Sequence, residues 1–238
     1  MTELSEQTTL EPVAMSKGKM LFRLLVYLVV LGALLFWLAG TLNWQMGWVF
    51  LVIFSGLNIF SVMIVPLDKE LEEERITLKE DVKSWDKYLA GIPSLLFPFG
   101  FLIVGGLDHR YAWSAGFPLW LTLTATVLGI GGYLFSVWAA RENKFYARFV
   151  RIQKERGHVT ITTGPYQVVR HPGYAGLSLY SLAAAVMLES YWAFVPVGIM
   201  VILLVIRTAL EDKTLQEELP GYAAYTHQTR YRLIPGVW

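Results

Sequence analysis

Long uncharged apolar stretches, separated by short polar segments, set the plan of this chain. Crossing the hydrocarbon core of a bilayer takes ~20 residues of helix. Residues 20–40 form one such run, 44–66 a second, 88–107 a third and 116–140 a fourth. Between Gly173 and Arg207 the only charge is Glu189. With Glu189-Ser190 as a turn, that stretch predicts two helices, over residues 173–188 and 191–210. The first is short for a full span, so the pair reads either as two crossings or as a re-entrant hairpin. The expected fold is an all-α integral membrane protein with about six transmembrane helices, or five plus the hairpin.

The polar segments differ in kind. Residues 1–19 lack periodicity and read as a disordered tail. Residues 20–140 read as scaffold helices, interrupted by "LDKELEEERITLKEDVKSWDK" at 67–87. There Leu67, Leu71, Leu78, Val82, Trp85 and Leu89 recur at helical spacing, which predicts an amphipathic helix lying on the membrane surface. Its Glu72-Glu73-Glu74 run reads as a solvated face. "GIGG" at 129–132 sits inside an apolar run and predicts close helix packing rather than a dinucleotide loop.

Composition agrees with this plan. The chain is 55% hydrophobic and 16% charged, where a soluble domain carries roughly a quarter charged residues. A net charge of +1 gives no basic surface for nucleic acid. The absence of cysteine excludes disulfides, thiolate metal sites and cysteine nucleophiles. Nine Trp and twelve Tyr suit two membrane–water boundaries. Lys and Arg fall 19 to 1 on alternate loops, Arg110 being the exception. That bias predicts cytoplasmic N- and C-termini in a multi-pass protein. The first apolar run is too long for a signal-peptide core.

Candidate chemistry gathers in the last hundred residues, the region 141–238. Arg207 and Glu211 stand one helical turn apart where the last apolar run ends. They read either as an end-of-helix ion pair or as part of a site. In "TTGPYQVVRHPGYAG", 162–176, His171 precedes Pro172, so it is held extended and Pro172 can start a helix. The free N–H groups of that helix favour an anion. The histidines show no ligand spacing, so no metal is expected. Neither a Ser-His-Asp pattern nor a P-loop appears.

"GPYQVVRHPGYAG", followed by R-x-x-x-E-D-x-x-L, "GYAAY" and "RLIP", resembles the isoprenylcysteine carboxyl methyltransferase family. That family shares its C-terminal half with membrane phospholipid methyltransferases. The resemblance covers about residues 141–235. It implies a membrane methyltransferase that uses S-adenosylmethionine on the cytoplasmic side. The cofactor would be enclosed by the segment before the motif, the motif and the tail. It implies that Gln153, His158, Val159, Thr160, Ile161, Tyr166, His171, Pro172, Gly173 and Tyr174 line the cofactor pocket. Glu211 would join them, as would Asp212, which stands where the family carries a second glutamate. Arg207 matches the arginine near the substrate carboxylate, which makes Arg207 and Glu211 the catalytic pair.

The implied reaction is methylation of the carboxylate of a lipophilic, isoprenylcysteine-like substrate to its methyl ester. Partners would be that lipid-phase substrate and the membrane lipids, with no nucleic acid. N-methylation of a phospholipid amine is the near alternative, opposed by the charge of Arg207. An NADPH-dependent, sterol-reductase-like membrane enzyme is another. A non-catalytic scaffold or transporter would carry polar or broken helices near mid-membrane, and the first four runs promise little of that.

Overall fold

The computed structural model describes residues 16–66, 70–71 and 79–238. Every apolar run becomes helix. α1 spans Lys17–Ala39 and α2 Gln45–Ile64. Ser16 accepts from the Lys19 N–H at 3.3 Å, which starts α1 before Met20, and Gly40 ends it at φ 70°. The tail expected over 1–19 is thus ordered from Ser16 onward, and residues 1–15 lie outside the described residues.

The third run departs from the expectation of one plain helix. α3, Ser84–Leu95, and α4, Phe101–Tyr111, flank an irregular turn at Leu96–Gly100. Phe97 leaves helical geometry there, at φ −106° and ψ 110°. It precedes Pro98, and a residue before proline is pushed out of the α region. The broken helix withheld from the first four runs is therefore present, at a break that lines a cavity. The surface helix expected over 67–87 lies partly outside the described residues, namely at 67–69 and 72–78. Of its predicted apolar face, Trp85 and Leu89 belong to spanning helix α3 instead.

α5 covers Leu119–Glu142, α6 Pro172–Met187, α7 Phe194–Glu218 and α8 Tyr222–Gln228. α7 runs two turns past the expected end at residue 210, because "EDKTLQEE" is made of good helix formers. No strand occurs among the described residues. Among the described residues, five helical segments are long and apolar enough to cross a membrane: α1, α2, α3 with α4, α5 and α7. α6 has 16 residues, ~24 Å at ~1.5 Å per residue. It nevertheless joins both ends of the bundle. Its start lies beside Asp212 on α7, and Ser190, just past its end, donates to Asp108 near the end of α4. Asp108 also accepts from the Ser114 N–H and hydroxyl at 2.8 and 2.6 Å, a polar staple at that end.

The interior is aliphatic and aromatic, with Leu31, Leu35, Phe50, Phe101, Tyr180 and Met187 in one cluster. α5 and α6 make the most extensive helix pair. Their backbones meet where Gly132 and Gly176 face each other, and Gly129 lies on Ala183. The expected packing role of "GIGG" holds. Val29, Val52, Val127 and Ile202 point outward. Helices apolar on every face are those of a bundle in lipid.

Candidate active site

After α5 the chain becomes irregular, and side-chain hydrogen bonds replace helical ones. Asn143 accepts from the Phe145 N–H at 2.8 Å and donates to the Tyr166 hydroxyl at 3.1 Å. Gln153 is buried and spends both ends of its amide. Its Nε2 donates to the Phe145 carbonyl at 3.0 Å, and its Oε1 accepts from Arg156 at 2.5 Å. The Gln153 N–H donates to His158 Nδ1 at 3.3 Å, which leaves the ring proton on Nε2. Burial, then Arg156 and Arg151, lowers the pKa of His158 to about 4, so the ring is neutral near pH 7.

The motif is clasped by the C-terminal tail. Arg170 and His171 donate their N–H groups to the carbonyls of Tyr231 and Arg232, both at 2.9 Å. The Arg170 guanidinium grips Asp212 through Nε at 2.7 Å and Nη2 at 3.0 Å. Its Nη1 donates to the carbonyls of Thr229 and Arg230. Asp212 also accepts from Tyr222 at 3.1 Å, Arg232 at 2.8 Å and Gln216 at 2.8 Å, and it lies 3.4 Å from His171 Nε2. Burial and the neighbouring Asp212 push the Tyr222 phenol far up, so it stays a donor. Asp212 is fully buried and stands behind the cavity wall rather than on it. Its oxygens are occupied by the protein, which corrects its expected place in the cofactor pocket.

A second buried pair joins distant parts of the chain. Arg207 on α7 donates through Nε and Nη2 to Asp86 on α3, at 2.6 and 3.0 Å. Nη2 also donates to the Arg148 carbonyl at 2.6 Å. The guanidinium carbon sits 5.2 Å from the centre of the Tyr174 ring, a cation–π distance. Tyr174 stacks against His171 with centroids 5.9 Å apart, and its hydroxyl donates to Glu211 at 2.7 Å. The Arg207–Glu211 ion pair open from sequence does not form, because each residue has another partner.

These elements enclose a cavity of about 470 Å³. Its polar wall carries Gln153, His158, His171, Tyr174, Arg207 and Glu211. Val159, Thr160, Ile161, Tyr166, Pro172 and Gly173 line it too, so every residue singled out from sequence except Asp212 converges here. The apolar wall comes from Phe54 on α2, Ala90, Pro93 and Phe97 of the third run, and Leu177 and Leu204. Gly173 is required by fit, since a Cβ there would meet the Tyr146 ring at 2.8–3.0 Å. His158 Nε2, one oxygen of Glu211 and Arg207 Nη1 have no protein hydrogen-bond partner among the described residues. The wall thus offers a donor, an acceptor, a cation and aromatic faces to a small molecule. No cluster of His, Asp and Glu among the described residues suits a metal ion.

Sequence reading missed the contributions of the first half: Asp86, and the apolar wall from α2 and α3. A signal for Asp86 was present. It shares a face with Ala90 and Pro93 at spacings of four and three, an acid on an otherwise apolar stripe.

Residues 125–217 match the Isoprenylcysteine carboxyl methyltransferase (ICMT) family. A relative, protein-S-isoprenylcysteine O-methyltransferase B of Arabidopsis thaliana, is 29% identical over 83 residues. The alignment covers 35% of this chain and 39% of the relative, so the chain spans about two-fifths of the length of the curated relative it matches. Asp86, α8 and the clasping tail lie outside the family match. From α5 to the last turn of α7, the walls of this cavity are built by a segment with the sequence pattern of the isoprenylcysteine carboxyl methyltransferase family.

Proposed function

We propose that this protein is an S-adenosylmethionine-dependent membrane methyltransferase that converts the carboxylate of a lipophilic, prenylcysteine-like acid to its methyl ester. The observation that carries this reading is one cavity lined both by charged and polar groups, Arg207, Glu211 and Tyr174, and by apolar side chains, Phe54, Pro93 and Phe97. Bound S-adenosylmethionine supplies an activated methyl group on a sulfonium centre. The residues fit such a cation: Glu211, one oxygen of which is free, and the aromatic side chain of Tyr166 line the space. His158 Nε2–H adds a donor, and Tyr146, packed against Gly173, adds steric definition.

On this reading Arg207 Nη1 holds the acceptor carboxylate, and the apolar side chains of the lining take its hydrocarbon chain. A carboxylate with a pKa of ~4 is already ionised at neutral pH and needs no general base. The chain's task is alignment, with reacting atoms held ~3–3.5 Å apart. Residues 141–238 supply most of the polar wall and much of the apolar lining, while the scaffold of residues 20–140 supplies Asp86 and the apolar side chains of Phe54, Ala90, Pro93 and Phe97. The 19-to-1 bias of Lys and Arg supports a cytoplasmic location for both termini.

One observation favours a second acceptor, a phospholipid amine. Asp86 already balances the charge of Arg207, which leaves Glu211 as an unbalanced anion in the wall. The test is transfer from methyl-labelled S-adenosylmethionine by purified protein to a panel of lipophilic acids and amines. Methyl esters release their label on treatment with base, and N-methyl groups do not. Base-labile label on prenylcysteine acids supports the proposal; base-stable label on amines alone replaces it with the second reading.

A further inference from the structure

We propose that Asp86 is the positioning residue for Arg207, and through it for the acceptor carboxylate; this rests on the carboxyl-methylation reading above. Asp86 comes from α3, outside the family match, and does not line the cavity. It is fully buried and reaches the cavity lining through its hydrogen bonds with Arg207 and with the Val150 N–H.

An arginine presents a two-pronged edge that pairs with a carboxylate through two parallel hydrogen bonds. In this protein Asp86 occupies that edge, Nε at 2.6 Å and Nη2 at 3.0 Å. The remaining hydrogen of Nη2 goes to the Arg148 carbonyl, and the Tyr174 ring lies 5.2 Å from the guanidinium carbon. Only Nη1 remains for a ligand. The second oxygen of Asp86 also accepts from the Val150 N–H at 2.7 Å, which fixes the carboxylate to the segment that forms the rest of the polar wall.

The chemical consequence is specific. A substrate carboxylate gripped by the whole fork would have both oxygens engaged as hydrogen-bond acceptors. Held by Nη1 alone, it keeps one oxygen free to use a lone pair on the methyl donor. Asp86 thereby turns a strong carboxylate binder into a one-point holder that leaves the nucleophile exposed. Binding strength given up in the ground state is of no use to turnover unless it grows in the transition state. A structural counter-ion would stabilise the fold without altering how the acceptor is held.

The test measures kcat, KM for a prenylcysteine acid and S-adenosylmethionine affinity in the wild type, Asp86→Asn, Arg207→Gln and the double variant. Asparagine keeps the shape of Asp86 but releases one prong of the fork. We expect Asp86→Asn to lower kcat about tenfold or more with KM for the acid unchanged or lower. Cofactor affinity should stay within about twofold. In the Arg207→Gln background the same change should cost less than about twofold further, because the two residues act as one unit. Wild-type kcat in Asp86→Asn, additive losses in the double variant, or cofactor affinity falling in step with kcat each overturn the proposal. Where Asp86→Asn does not fold, Asp86→Glu moves the charge by one methylene, and the same split between kcat and KM decides. A wild-type protein that methylates no acid fails before any variant is compared; the carboxyl reading then falls, and Asp86 is left a structural counter-ion.

Discussion

Two buried arginine–aspartate pairs stand near the same cavity, and they are built alike but finished differently. Arg170–Asp212 and Arg207–Asp86 both use Nε and one terminal nitrogen, at 2.6–3.0 Å. Around the first pair the protein supplies further partners. Asp212 accepts from Tyr222, Gln216 and Arg232, while Arg170 also donates to two tail carbonyls. The second pair stops short: Arg207 lines the cavity, and its Nη1 has no hydrogen-bond partner among the described residues. A fully satisfied buried pair costs little to keep and much to break, which suits a clasp. An incompletely satisfied one is what a ligand can complete. On the proposed function, the difference separates a structural pair from one that serves the chemistry, a distinction the sequence does not draw.

The largest effect should come from the clasp. Asp212→Ala leaves Arg170 buried without its partner and frees the tail, a change of about 3–5 kcal/mol for a broken buried pair. The variant should melt well below the wild type in detergent and lose cofactor binding together with activity. A melting temperature equal to wild type would make the two pairs alike in role and end the comparison.

Arg207→Lys comes next, and it should act on turnover rather than folding. Lysine keeps the charge and loses the planar fork that holds Asp86. Loss of about 2–3 kcal/mol of transition-state stabilisation corresponds to about 30- to 150-fold in rate. Cofactor affinity, measured in the same preparation, should remain. Wild-type methylation of the acid by this variant contradicts the assigned role.

Tyr174→Phe sharpens the same contrast with a smaller change. It removes the donor to Glu211 and keeps the ring beside Arg207 and His171. A hydrogen bond to a charged group is worth about 1.5–3 kcal/mol, so a cofactor affinity lowered about tenfold or more is expected. An unchanged isotherm would free Glu211 from any dependence on Tyr174.

The smallest effect is titration of His158. Its folded pKa of about 4 lies below the ordinary histidine value of 6.5. The unfolded chain therefore binds more protons between those values, and stability rises with pH across that window. As pH falls from about 6.5 toward 4 the folded protein should weaken, and His158→Gln should flatten that slope. An identical pH–melting profile in the variant would remove His158 from the account.

Much of this was legible in sequence, and the reasons are physical. Apolar run length fixes helices in lipid, so α1, α2, α5 and α7 could be placed directly. The motif around His171 is local, with Pro172 starting α6 where the pre-proline geometry requires it. What was hidden was long-range pairing. Asp86 and Arg207 are separated by 121 residues, and no periodicity links them. Asp212 read as a cofactor ligand because it stands beside Glu211 where the resembled family carries a second glutamate. Adjacent helical positions face about 100° apart, so one carboxylate reaches the cavity and the other the clasp. The break at Phe97 was written in Pro93 and Pro98, and it was overlooked because the run is otherwise apolar.

The central claim is that this cavity holds the methyl donor at Glu211. Its most direct test is an equilibrium isotherm of S-adenosylmethionine on purified protein, wild type against Glu211→Gln, with melting temperature recorded alongside. The substitution keeps size and removes the charge, while Arg170–Asp212 and Arg207–Asp86 remain. The account predicts affinity weakened about tenfold or more, as for loss of a charged hydrogen-bonding partner, at a nearly unchanged melting temperature. Equal affinity in the two proteins would contradict it.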